Sequence, residues 1–197
     1  MADDRIGHIL DSALIVFSQY GYAKTTMQDI ARAAGMSRAA LYLHFASKEE
    51  LFRAGSRRAH SRALGHADAA LAEQGDVLSR VDAAMTAYFG ELKAQISSSV
   101  HGGELVDATL AITGNIVGEA RAALVARLVS ALEAAAAAGE VRLSHVDATA
   151  EDIALLLLAV VDGLQKTSAD PALWHRQRAL FLRLVRGAIT SPGGIGS

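Results

Sequence analysis

The chain has 197 residues, of which 51% are hydrophobic, with a formal net charge of −2 and no cysteine. That is enough apolar material for one large domain or two small ones. It excludes disulfides, thiolate metal sites and a uniformly basic nucleic-acid binder. The N-terminus, MADDRIGHIL, lacks the basic and apolar regions of a signal peptide. The run Ile153 to Val161 is far shorter than the roughly 20 apolar residues that span a bilayer. A soluble, cytoplasmic protein without membrane contact is expected. Alanine and leucine dominate, and the only two prolines are Pro171 and Pro192. No segment alternates β-branched with polar residues, so the expected fold class is all-α.

Ile6, Ile9, Leu10, Ala13, Leu14 and Phe17 recur at three- and four-residue spacing and predict a first amphipathic helix. Gly21 ends it. Thr26 is an N-cap with Asp29 three residues on, a capping box with Asp in place of the more usual Glu or Gln. The helix it starts runs through Ile30, Ala31 and Ala34 and stops at Gly35. Ser37 caps a third helix that buries Leu41 and Phe45, one turn apart. Ser47 caps a fourth, with Glu50 completing an S-x-x-E box. Two short helices joined by a tight turn, then a longer helix, have the grammar of a helix-turn-helix.

Beyond residue 47 the predicted helices lengthen. One runs from 48 to about 73 and breaks at Gly75-Asp76. A second runs from 76 to about 98, with Val77, Val81, Ala84, Met85, Tyr88, Phe89 and Leu92 on one face. A short helix from about 103 is stopped by Gly114-Asn115, and another long helix ends at Gly139. The segment GEVRLSHVD is a connector. Thr149, with Asp152 at N3, caps a helix that is apolar almost all round from Ile153 to Val161, which predicts burial on every side. Pro171 suits the first turn of the last helix, which carries Leu173, Trp174, Leu180, Phe181, Leu184, Val185, Ala188 and Ile189. The tail 191–197 is expected to be disordered, and no internal repeat is found.

Charge is unevenly spread. Residues 1–58 hold eight Lys/Arg against six Asp/Glu, and the remainder holds eleven against fifteen. The mildly basic end is the one with the helix-turn-helix pattern. There the second helix must present its N-terminal residues to base edges in a major groove. With Leu41 and Phe45 facing inward, Ser37, Arg38, Ala39, Tyr42 and His44 are left outside. Arg38 has the reach for a bidentate contact with guanine, and Ala39 can meet a thymine methyl or simply keep the helix thin. Tyr42 and His44 can donate to phosphates. Lys48, in the first turn of the next helix, and Thr26, at the start of the preceding one, also suit a phosphate. Taken singly, each of these is an ordinary surface or half-buried residue; only the framed motif makes them a surface.

The stretch Thr26 to Leu51, TMQDIARAAGMSRAALYLHFASKEEL, strongly resembles the DNA-binding domain of TetR/AcrR-family transcriptional regulators. The shared pattern is a Thr, then Ile-Ala, an Ala-Gly-(Val/Met)-Ser turn, a Leu/Ile-Tyr-x-His/Tyr-Phe helix and a Ser/Asn-Lys-x-x-Leu start to the fourth helix. Every position is filled here. With the first helix and Gly21-Tyr22 the likeness covers about the first quarter of the chain. It implies a homodimer that binds a double-stranded DNA operator and is controlled by a small-molecule effector held between the fourth to seventh helices. The six long helices counted beyond the motif fit the family's regulatory domain in number and length. Many members carry a basic segment ahead of the first helix. Here it is MADD with only Arg5, so no minor-groove arm is expected.

Met85, Tyr88 and Phe89 are most simply core residues, and are candidates to line an effector pocket. With only 5% aromatic residues, an aliphatic or amphipathic ligand fits better than a flat aromatic one. His101, Glu104 and Asp107 stand at i, i+3 and i+6. They could be metal ligands, polar groups of a ligand pocket, or residues that suit a helix start; no metal or cofactor is expected. His60 and His66 are expected at the surface. There is no P-loop, G-x-S-x-G, H-E-x-x-H or E-x-x-H, so no enzyme is expected.

The expected organisation is an N-terminal three-helix DNA-binding domain at 1–47 and a helical ligand-binding and dimerisation domain at 48–190. The last two helices, about 150 to 168 and 171 to 190, carry more apolar face than one core needs, and a four-helix interface would bury the excess. The functional expectation is a repressor that binds a palindromic operator and is released by a small molecule. The alternative is a helical protein-interaction module without sequence-specific DNA binding.

Overall fold

The computed structural model describes residues 2–97, 102–167 and 171–190. No strand occurs among them. The helices are α1 (Ala2–Tyr20), α2 (Met27–Ala33), α3 (Arg38–Tyr42), α4 (Lys48–Leu71), α5 (Val77–Ser97), α6 (Gly102–Ala137), α7 (Ala150–Thr167) and α8 (Pro171–Ile189), with a 3-10 turn at Leu143–Val146. Two compact units form, one from residues 1–65 and 88–121 and the other from 66–87 and 122–197. The expected boundary after residue 47 falls inside the first unit. The expected disordered tail at 191–197 lies outside the described residues.

The first unit contains the helix-turn-helix. Its core joins Ile9, Ala13 and Phe17 of α1 to Ile30 and Ala31 of α2, Leu41 of α3, and Phe45 and Leu51 beyond it. Gly21 sits at φ 79°, a left-handed conformation that ends α1 without Cβ strain. Phe17, Tyr22 and Phe52 form an aromatic cluster with ring centroids 4.9 to 5.6 Å apart.

One sequence expectation fails here. Gly114-Asn115 does not break a helix, because α6 runs continuously from Gly102 to Ala137. A helical glycine costs only about 1 kcal/mol relative to alanine, and a tertiary contact spans the weak point. The Arg53 guanidinium on α4 donates to the Ile112 carbonyl and, at 3.1 Å, to Asn115 Oδ1. The six long helices counted from sequence are therefore five.

In the second unit, Thr149 and Asp152 form the expected reciprocal cap. Asp152 N donates to Thr149 Oγ1 at 3.1 Å, and Thr149 N donates to the Asp152 carboxylate at 2.9 Å. In α7, Ile153, Ala154, Leu157, Leu158 and Val161 are buried, whereas Leu155 and Leu156 are each 48% exposed. The helix is thus not covered on every side within one chain. On α8, Leu180 and Leu184 are likewise exposed, at 49% and 63%. Arg178 on the same helix is buried and ion-paired with Asp82, and donates to the Asp82 carbonyl at 2.8 Å. Burial pushes the Asp82 carboxyl up, against the opposing pull of Arg178.

Candidate nucleic-acid interface

Local signals build the α2–turn–α3 segment. The Thr26 side chain accepts the Asp29 amide at 3.3 Å, and the Asp29 carboxylate accepts both the Thr26 amide (3.0 Å) and the Thr26 hydroxyl (2.6 Å). The hydrogen bond from the Thr26 side chain, then that from its backbone, holds the Asp29 carboxyl below its usual range. After α2, Gly35 takes φ 65° and reverses the chain, and the Met36 amide donates back to the Ala31 carbonyl at 2.9 Å. Ser37 then caps α3 by accepting the Ala40 amide at 3.1 Å.

Packing divides α3 into two faces. Leu41 and Phe45 are buried. Ser37, Arg38, Ala39, Tyr42, Leu43 and His44 are all exposed. Arg38 Nη2 donates to the Tyr42 hydroxyl at 3.3 Å, and the guanidinium carbon lies 5.4 Å from the Tyr42 ring centroid. Arg38 and Tyr42 are one turn apart, so the cation and the hydroxyl are held together on one surface. The Ser37 hydroxyl uses a lone pair for its cap and keeps its proton for an outside acceptor.

This surface sits within the TetR pattern by comparison as well as by geometry. The model of the family "Bacterial regulatory proteins, tetR family" matches residues 9–54. Residues 9–54 form a TetR-type DNA-binding domain. The HTH-type transcriptional regulator AcrR of Shigella flexneri is 53% identical over 45 residues, which is 23% of this chain and 21% of that relative. The match thus spans only about a fifth of that relative. Over nearly the whole chain the likeness is one of fold. A TetR-family protein of Mesorhizobium loti superposes with a TM-score of 0.73 at 17% identity, over 97% of this chain and 99% of that one. SmeT, the repressor of the Stenotrophomonas maltophilia multidrug efflux pump SmeDEF, gives 0.66 at 25% identity over 95% and 91%. A second SmeT structure, in complex with triclosan, gives 0.67 at 23% over 96% and 93%.

Two side chains expected at the TetR-type DNA face have partners within the chain. Lys48 turns inward. Its ammonium donates to the carbonyls of Tyr22 (2.7 Å), Ala23 (3.2 Å) and Thr25 (2.9 Å), and lies 4.3 Å from the Tyr22 ring centroid. It clamps the α1–α2 loop to the start of α4 rather than presenting a free cation. The Thr26 proton is directed to Asp29, beside a carboxylate that would repel a phosphate. Ser47 caps α4 as expected, with Glu50 N donating to Ser47 Oγ at 3.0 Å; only the reciprocal bond is shifted by one residue, since the Glu50 carboxylate accepts from Ala46 N at 2.7 Å.

The candidate effector residues divide. Met85 is fully buried in the second unit. Tyr88 is buried in the first unit with its hydroxyl 2.9 Å from His60 Nδ1, and its ring packs edge-on against Phe89 at 5.1 Å. None of the three lines the apolar cavity of the first unit whose walls include Leu14, Phe52 and Gly55. His101 and the side chains of Glu104 and Asp107 lie outside the described residues. His60, expected at the surface, is buried instead: Tyr88 covers it, and burial lowers its pKa below the usual 6.5. The helix-turn-helix signal is local, whereas the His60–Tyr88 pair joins residues on two helices that no sequence spacing relates.

Proposed function

We propose that this chain is a homodimeric transcriptional repressor whose DNA affinity is set by a small-molecule effector. The observation that carries the reading is the outer face of α3. Leu41 and Phe45 anchor it, with Ser37, Arg38 and Ala39 exposed at its capped N-terminal end and Tyr42 and His44 exposed at its C-terminal end. A major groove needs this arrangement, with a guanidinium for guanine, a small residue beside a thymine methyl, and hydroxyl and imidazole donors for phosphates. That a structural neighbour of similar fold is an efflux-pump repressor seen with a small molecule bound supports the same reading.

Leu155, Leu156, Leu180 and Leu184 support the homodimer. These leucines lie open on two helices that pack together, and a second copy would cover them. Two recognition helices related by a two-fold then meet half-sites about 34–36 Å apart. An effector that prefers a conformation with a different separation lowers DNA affinity by its differential affinity.

Selection of duplexes from a random pool, with and without cell extract, tests the proposal. A palindromic motif should be enriched, and extract containing the effector should reduce the enrichment. Recovery of unselected sequences only would favour the protein-interaction alternative.

A further inference from the structure

The first unit has a half-open apolar cavity of about 260 Å³ between α1 and α4, bordered also by Leu92 of α5 and by Thr109 and Val117 of α6. Leu10, Leu14 and Phe17 of α1 form one wall, and Leu51, Phe52 and Gly55 of α4 form the other. The space exists because α4 turns small residues toward α1. Gly55 and Ala59 lie one turn apart on the stripe that Leu51 begins, and a Cβ built on Gly55 meets nothing within 4 Å. Apolar walls left partly open to water gain by being covered, and an apolar guest covers them.

The polar groups at the cavity restrict the guest. Arg58 is engaged by Asp11 at 2.6 and 3.2 Å and by the Gly7 carbonyl at 3.0 Å. Arg62 pairs with Glu91 at 3.2 Å. An anionic head group would have to displace one of these carboxylates. His60 also lines the space, and its Nδ1 is engaged by Tyr88, which leaves Nε2 for a guest. A neutral imidazole can donate from Nε2 or accept there, according to which tautomer its bond to Tyr88 selects.

We propose that this cavity binds a small, uncharged, largely apolar molecule with one hydroxyl or carbonyl group, and that the guest acts directly on the helix-turn-helix. An apolar cavity of ~150 Å³ holds a benzene ring, so the guest is the size of a medium-length alcohol or a two-ring compound. Its contact surface is α1 itself, which packs on α2. A guest that spreads α1 from α4 tilts α2 and α3 on their shared core and moves the recognition face. This rests on the reading of the chain as a ligand-responsive DNA-binding protein.

Octan-1-ol is the probe, and octanoate is its charged counterpart. The full chain should bind octan-1-ol saturably by calorimetry, one per chain and at least tenfold more tightly than octanoate. The His60 ring resonances should shift on binding. Gly55→Leu, which fills the space, should weaken binding at least tenfold. On a duplex recovered by selection, saturating octan-1-ol should weaken DNA binding at least fivefold. Absence of saturable binding would overturn the proposal, as would binding that leaves the His60 ring unmoved. The His60 readout uses the unmodified chain, so it decides the matter even where the leucine variant fails to fold. Guest binding at His60 with unchanged DNA affinity would overturn the coupling. Failure to recover any duplex would instead count against the regulator reading, with the cavity still judged by the octanol and His60 results.

Discussion

Arg38 and Tyr42 are joined on the outer face of α3: the guanidinium donates to the phenol oxygen at 3.3 Å and lies over its ring. A hydrogen-bonded, stacked arginine loses less side-chain freedom on binding than a free one. Arg38→Ala should weaken binding to the selected duplex by about 1–3 kcal/mol and relax preference at one base pair. Tyr42→Phe keeps the ring and removes the hydroxyl, so its cost should be nearer 1 kcal/mol. The double variant should lose less than the sum, because each single change already disturbs the pair. Fluorescence anisotropy on matched and mismatched duplexes measures all three. Strict additivity would mean that the contact is idle.

Lys48 should behave as a structural residue. Lys48→Met removes a charged donor to three carbonyls, and hydrogen bonds to charged groups are worth about 1.5–3 kcal/mol. Thermal unfolding and amide exchange in the Tyr22–Thr25 loop should show a loss of that order. A variant of unchanged stability, with a salt slope of DNA binding reduced by about one, would assign the ammonium to a phosphate.

The continuity of α6 can be checked at Gly114. Its Cβ position is open, with nothing within 4 Å. Gly114→Ala should therefore stabilise by about 1 kcal/mol, a rise of about 2–4 °C in melting temperature for a chain of this length. A helix break at Gly114 would reverse the sign.

His60 should make stability fall in mild acid. Its folded pKa lies below 6.5, through burial. The unfolded state therefore takes up the proton more readily. The contribution of the neutral ring is complete above about pH 6.5 and declines as pH falls below that value. His60→Gln should flatten this limb of a stability-against-pH curve measured by urea titration, and an unchanged slope would place the titration elsewhere.

A charge on the exposed leucines should separate the copies. Leu156→Glu with Leu184→Glu should convert a dimer to a monomer by light scattering, with melting of the isolated chain little changed, since both positions are open in one chain. Loss of half-site cooperativity on DNA should accompany the change.

The helix-turn-helix is written in the sequence because its determinants are local. Thr26 with Asp29, Gly35 and Ser37 each act within three or four residues, and capping and turn chemistry depends on little else. The inward Leu41 and Phe45 follow from helical spacing, which leaves Arg38, Tyr42 and His44 on the outside. Only the tertiary structure decided what the long side chains do with their freedom. Lys48 reaches back 23 to 26 residues to a loop, Arg53 spans 62 residues to Asn115, and His60 meets Tyr88 across 28. Each bond depends on which helices lie side by side, and periodicity carries no information about that. The cavity beside α1 has the same origin. Gly55 in isolation is a weak point in a helix, and it becomes part of a cavity wall only because α1 passes in front of it.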